Sequence, residues 1–174
     1  MTGWSGELVA AVIVGLLLFA AWTDVATRII PNSVVAALAV VGLAARSFAG
    51  ISAMAISAAL ALLLFVLLVL LHSRGIMGGG DVKLAAATAI GLPPASIYHF
   101  IAYTALAGGV LACLHLALRF GLRHSSPHAP RRGAGLIQRV LSAERWRIAR
   151  HGSLPYGVAI ACGGIWAVLT ARGG

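Results

Sequence analysis

Residues 51–71 read ISAMAISAALALLLFVLLVLL, twenty-one positions without a charged side chain. A straight helix needs about 20 apolar residues to cross the hydrocarbon of a bilayer, so this stretch reads as a membrane span. Working outward, five more apolar segments flank it: Glu7–Trp22, Ser33–Phe48, Val82–Leu92, Ala95–Leu118 and Leu154–Ala171. The segment at Val82–Leu92 ends at Pro93-Pro94 and is too short to cross as an exposed helix. It needs its flanks, or a place inside a bundle. The expected fold class is therefore all-α: a polytopic membrane bundle of about six transmembrane helices, one domain over 1–174, with a basic cytoplasmic loop at 120–151.

Composition agrees. Of 174 residues, 60% are hydrophobic and 10% charged, with a mean hydropathy of +0.97, more apolar surface than one soluble core of this size can hide. The 21 glycines suit close helix packing in lipid. The net charge of +9 would suggest nucleic acid in a soluble protein, but the arginines sit between apolar segments, so no nucleic-acid partner is expected. With the N-terminus outside, Arg28, Arg74, Lys83 and the eight arginines of 119–150 fall on the inner side, and only Arg46 and Arg172 outside. The positive-inside tendency thus favours six spans with both termini outside.

Within the loop, LIQRVLSAERWRIAR carries Leu136, Ile137, Val140, Leu141 and Ile148 on one helical face. A helix lying on the lipid surface and a solvated topology anchor are both open readings. The first apolar stretch has no basic residue before Arg28, so a retained span is expected rather than a cleaved leader. Cys113 and Cys162 form no CxxC pair and read as buried, inert thiols. No metal site or cofactor is expected, since the six histidines show no ligand spacing with one another.

Only four acidic residues occur: Glu7, Asp24, Asp81 and Glu144. Asp24 and Asp81 each sit where an apolar segment meets a short loop, and both junctions fall on the inner side. An ionisable group at a membrane boundary is expensive unless paired or hydrated, which makes both functional candidates. Two carboxylates at contact distance share a proton, so that one activates a water while the other polarises a carbonyl. Structural readings stand beside this one. Asp24 can pair with Arg28, and Asp81 can cap the fourth helix.

The local sequences narrow the chemistry. Asp24 opens DVATRIIPN, with Ile30-Pro31-Asn32 following. Asp81 closes Gly78-Gly79-Gly80-Asp81, with Lys83 two residues on. Glycines before an aspartate allow close backbone approach. Asn32 or Ser33 is expected to cap the second helix, and Lys83 to snorkel to the interface.

These motifs resemble those of the type IV prepilin leader peptidases, within the GxGD class of intramembrane aspartic proteases. The matching elements are Asp24 with Ile30-Pro31-Asn32, Gly78-x-Gly80-Asp81 with Lys83, and the ending Pro155-Tyr156-Gly157 with Ala159 and Gly163. The resemblance implies an enzyme of the bacterial inner membrane, multi-pass, with its active site facing the cytoplasm. It implies Asp24 and Asp81 as the catalytic pair, with Pro31, Asn32, Gly78, Gly80, Lys83, Pro155, Tyr156 and Gly157 shaping the site. Its partners would be the lipid bilayer and a pilin-like precursor, whose positively charged leader it removes. The sequence lacks the four-cysteine cytoplasmic domain of the larger members, a departure that weighs against methyltransfer here. In size it resembles the minimal peptidases of tight-adherence (Flp-type) pilus systems. A preflagellin-type peptidase is a neighbouring alternative. An ion-coupled transporter built on the two carboxylates is a different class, which the lack of a visible inverted repeat disfavours.

Overall fold

Among the residues described by the computed structural model, 3–122 and 154–171, every regular element is a helix. In chain order these are α1 (Gly3–Thr27), α2 (Asn32–Ser47), α3 (Ile51–Ser73), α4 (Gly79–Ile90), α5 (Pro94–Leu122) and α6 (Tyr156–Thr170). Each expected apolar segment is thus a helix. Three of them contain stretches long and apolar enough to cross a membrane: Gly6–Thr27, Ile51–Ser73 and Pro94–Phe120. The other three are shorter. The amphipathic segment at 136–148 and most of the basic loop lie outside the described residues.

The short α4 occupies the centre. Val82, Leu84, Ala85, Ala86, Ala87, Thr88 and Ala89 are all buried, on every side of the helix, and α2, α3 and α6 pack around it. This is how a segment too short to cross alone is accommodated: protein, not lipid, surrounds it. Its composition suits the place, since four alanines let neighbouring backbones come close. The hydroxyl of Thr88 donates to the Leu84 carbonyl at 2.8 Å, so the one buried polar side chain in this run is satisfied within its own helix. Where α4 ends, the wholly buried Ser57 of α3 donates to the Leu92 carbonyl at 3.0 Å and accepts from Arg46 Nε at 3.1 Å. A carbonyl past the helix end that would otherwise lack an intrahelical partner is thereby satisfied.

Small residues also set the other crossings. At Gly42 of α2 a Cβ would lie 2.8 Å from the Cα of Gly91, and at Gly164 of α6 one would lie 2.9 Å from Thr88 Cγ2. α1 packs on α2 and α6, and α5 packs chiefly on α6. Cys113 and Cys162 differ from expectation. Both are exposed, Cys162 on an open groove lined by α5 and α6.

Two boundaries also differ. α1 runs on past Trp22 to Thr27, so Asp24 lies inside a helix and not at its junction with a loop. α4 starts at Gly79, with Gly78 as its N-cap, so Asp81 is the third residue of the helix and not its cap. In α2 the N-cap is Pro31, and neither Asn32 nor Ser33 makes a side-chain capping bond. The Pro31 carbonyl instead accepts from the Val34 and Val35 amides, proline being well suited to setting the chain direction just ahead of a helix.

Candidate active site

Five chain segments meet at one end of the bundle around a cavity of about 640 Å³. The end of α1 contributes Asp24 and Arg28, the end of α3 contributes Leu71, and Ile30 comes from just before α2. Gly78 to Asp81 bring in the start of α4, and Leu154 and Tyr156 the start of α6. The two aspartates singled out by the sequence are therefore on one cavity, although they are fifty-seven positions apart.

Asp24 is held from far along the chain. It is 6% exposed, and its Oδ2 accepts a hydrogen bond from the Gly157 backbone N–H at 2.9 Å. Gly157 lies in the first turn of α6, where backbone N–H groups have no partner within the helix. The contact is also steric. A Cβ at position 157 would lie 2.8 Å from Asp24 Oδ2 and 3.0 Å from Cγ, so only glycine lets the carboxylate come this close. Tyr156 beside it packs its ring over Gly108 of α5, where a Cβ would stand 3.1 Å from the ring.

Asp81 is held locally. From the third position of α4 its carboxylate reaches back to the backbone N–H of Gly78, the geometry of half a capping box. Asp81 lies outside the three helices long enough to cross a membrane. Its carboxyl is pushed up from an ordinary 3.8 to about 6, first by burial and then by the like charge of Asp24. The Gly78 N–H and the Arg28 guanidinium act in the opposite direction. The two carboxylates thus sense each other, which is the condition for a pair to titrate jointly.

Of the remaining expected residues, Gly78 and Gly80 border the cavity with Tyr156. Ile30 fits against Gly80, where a Cβ would meet it at 3.6 Å. Pro31, Asn32, Lys83 and Pro155 are not among the residues that line the cavity. Lys83 is exposed, and its Nζ is 3.4 Å from Asn32 Oδ1, a long contact that ties the starts of α4 and α2. His72 closes the turn ahead of α4, its Nδ1 2.8 Å from the Met77 carbonyl oxygen. Arg28, expected as an inner-side charge and a structural partner of Asp24, also borders the cavity. The signal was present: Arg28 follows Asp24 by only four positions, close enough along the chain to share its surroundings.

Residues 11–113 match the model of the type IV leader peptidase family. The chain belongs to that family. Both aspartates fall within the matched stretch, so this leader-peptidase family member carries Asp24 and Asp81 in the part it shares with its relatives. Gly157 and the rest of α6 lie beyond it. Comparison with curated proteins and with solved structures gave no match.

Proposed function

We propose that the protein is a membrane aspartic endopeptidase that removes the leader of pilin-like precursors, with Asp24 and Asp81 as the catalytic pair. The observation that carries this reading is the meeting of the two carboxylates on one cavity in a chain of a peptidase family. Asp24 Oδ2 accepts from the Gly157 N–H and burial raises the proton affinity of Asp81, so the proton shared by the pair is assigned to Asp81. Asp24 then takes a proton from water as the water oxygen bonds to the scissile carbonyl carbon, while Asp81 gives its proton to the carbonyl oxygen. The resulting gem-diol collapses. Asp24 returns its proton to the amide nitrogen, Asp81 recovers one from a diol hydroxyl, and the C–N bond breaks. Each aspartate ends as it began, and the net change is the addition of one water.

The setting suits this chemistry. At 1.5 Å per residue, α4 is about 18 Å long and α3 about 35 Å, against roughly 30 Å of hydrocarbon. The short helices α2, α4 and α6 all begin at the cavity, which favours a recess that water enters from one side. The distribution of basic residues supports the cytoplasm as that side and six spans with both termini outside. The leader peptide would arrive there while the precursor's apolar helix stays in the bilayer.

Co-expression with a pilin-like precursor is the test. The wild type should yield a shortened product, and Asp24→Asn and Asp81→Asn, nearly isosteric changes, should each abolish it. Undiminished cleavage by either variant would overturn the mechanism. Ion flux into reconstituted vesicles without peptide cleavage would point instead to a transporter.

A further inference from the structure

Arg28 stands immediately after α1 in a backbone conformation that side chains rarely adopt. Its φ is 59°, and it is the one non-glycine with positive φ among the described residues. Its amide donates to the Asp24 carbonyl at 2.9 Å, the bond that closes a helix through a left-handed residue. Glycine takes this position without penalty and is the usual occupant. An arginine kept there invites an explanation in terms of what its side chain does.

That side chain borders the same cavity as Asp24 and Asp81. Its Nε and one terminal nitrogen are shielded from solvent, unlike an arginine serving only as a topology charge at a membrane surface. Its charge reaches Asp81, where it works against the effect of burial. Among the described residues at this end of the bundle, the other ionisable groups have different settings, and Arg74, just after α3, is exposed. His72 of α3 faces the Met77 carbonyl, Lys83 points to Asn32, and Tyr156 of α6 packs on Gly108.

We propose that Arg28 is a positioning residue of the aspartate pair, its guanidinium balancing the single negative charge the pair carries while it shares one proton. Two aspartates holding one proton amount to one negative charge, and one guanidinium brings the cavity to neutrality. The left-handed backbone at residue 28 turns the chain out of α1, and the side chain borders the cavity that Asp24 also lines. This inference rests on the aspartic reading given above.

The test measures protonation of Asp81 directly, without a substrate. The carboxyl band of Asp81 is followed against pH by infrared difference spectroscopy of the purified full-length chain, wild type minus Asp81→Asn. The same titration is run on Arg28→Gly, Arg28→Gln and Arg28→Lys. Arg28→Gly relieves the backbone while removing the charge, and its thermal melting is recorded alongside to establish that the variant is folded. If a nearby cation is holding the proton affinity down, its loss raises the midpoint by about one pH unit, a tenfold gain in proton affinity. Arg28→Gly and Arg28→Gln should both show this, and Arg28→Lys should stay near the wild type. Midpoints unmoved in the glycine and glutamine variants would overturn the proposal. The cleavage assay separates the two readings. Active Asp24→Asn or Asp81→Asn variants would sink the aspartic mechanism, whereas inactive ones with an unmoved Arg28→Gly titration would sink this inference alone.

Discussion

Gly157→Ala is a sharp probe of how the site is held. Alanine is the better helix former by about 1 kcal/mol, so α6 itself should gain from the change. The carboxylate of Asp24 should not. The added Cβ would lie 2.8 Å from Oδ2, where ordinary contact begins at 3.4 Å, so the carboxylate must retreat by about 0.6 Å, the difference of the two. The 2.9 Å bond from the Gly157 N–H then lengthens to about 3.5 Å, past the range of a useful hydrogen bond. A hydrogen bond to a charged group contributes about 1.5–3 kcal/mol, and small misplacements of a reacting group cost up to about 100-fold in rate. We therefore expect kcat/KM for precursor cleavage to fall by about 10- to 100-fold, with a modestly lower melting temperature, since the lost bond outweighs the gain in helix propensity. Gly109→Ala on α5 is the control, since its Cβ meets nothing within 4 Å. A folded Gly157→Ala enzyme that cleaves within twofold of wild type would refute the argument that this contact seats Asp24.

The raised proton affinity of Asp81 also has a consequence for stability. Between its ordinary 3.8 and about 6, the folded protein holds a proton that the unfolded chain has released, so stability falls as pH rises through that window. Melting curves at pH 4.5 and 7 should show the drop in wild type and a smaller one in Asp81→Asn. Ser57→Ala leaves the buried Leu92 carbonyl without its donor and should destabilise by about 1–3 kcal/mol, read as a lower melting temperature. Lys83→Ala removes only an exposed 3.4 Å contact and should change stability by less than about 0.5 kcal/mol.

The helices were readable because apolar runs announce themselves whatever they pack against. Asp24 and Asp81 were readable because acids are scarce in this chain, with four in all, and because each stands at the edge of such a run. What escaped is what depends on partners distant in sequence. Trp22 looked like the end of α1 because the polar residues after it suit a loop, yet the helix continues through Asp24. Its carboxylate meets an N–H donor 133 positions away, and Thr27 folds its hydroxyl back onto the Thr23 carbonyl at 2.8 Å. Asn32 and Ser33 have the chemistry of caps, but Lys83 approaches the Asn32 oxygen and Pro31 already directs the chain. The glycines before Asp81 suggested close approach without saying to what. The structure shows Ile30 against Gly80 and His72 against Gly79. Arg28 was visible as a charge, but its left-handed backbone was not.

The hydroxyl of Ser57 anchors the far end of α4, while Asp81 stands at the near end. The helix between them therefore acts as a ruler, and the depth of the Asp81 carboxylate is counted in residues from the opposite face of the bundle. One alanine inserted between Asp81 and Leu92 would advance that carboxylate by about 1.5 Å and swing it about 100° around the axis, out of the cavity altogether. Central helices of this kind tolerate exchange of one small side chain for another far better than any change in their number.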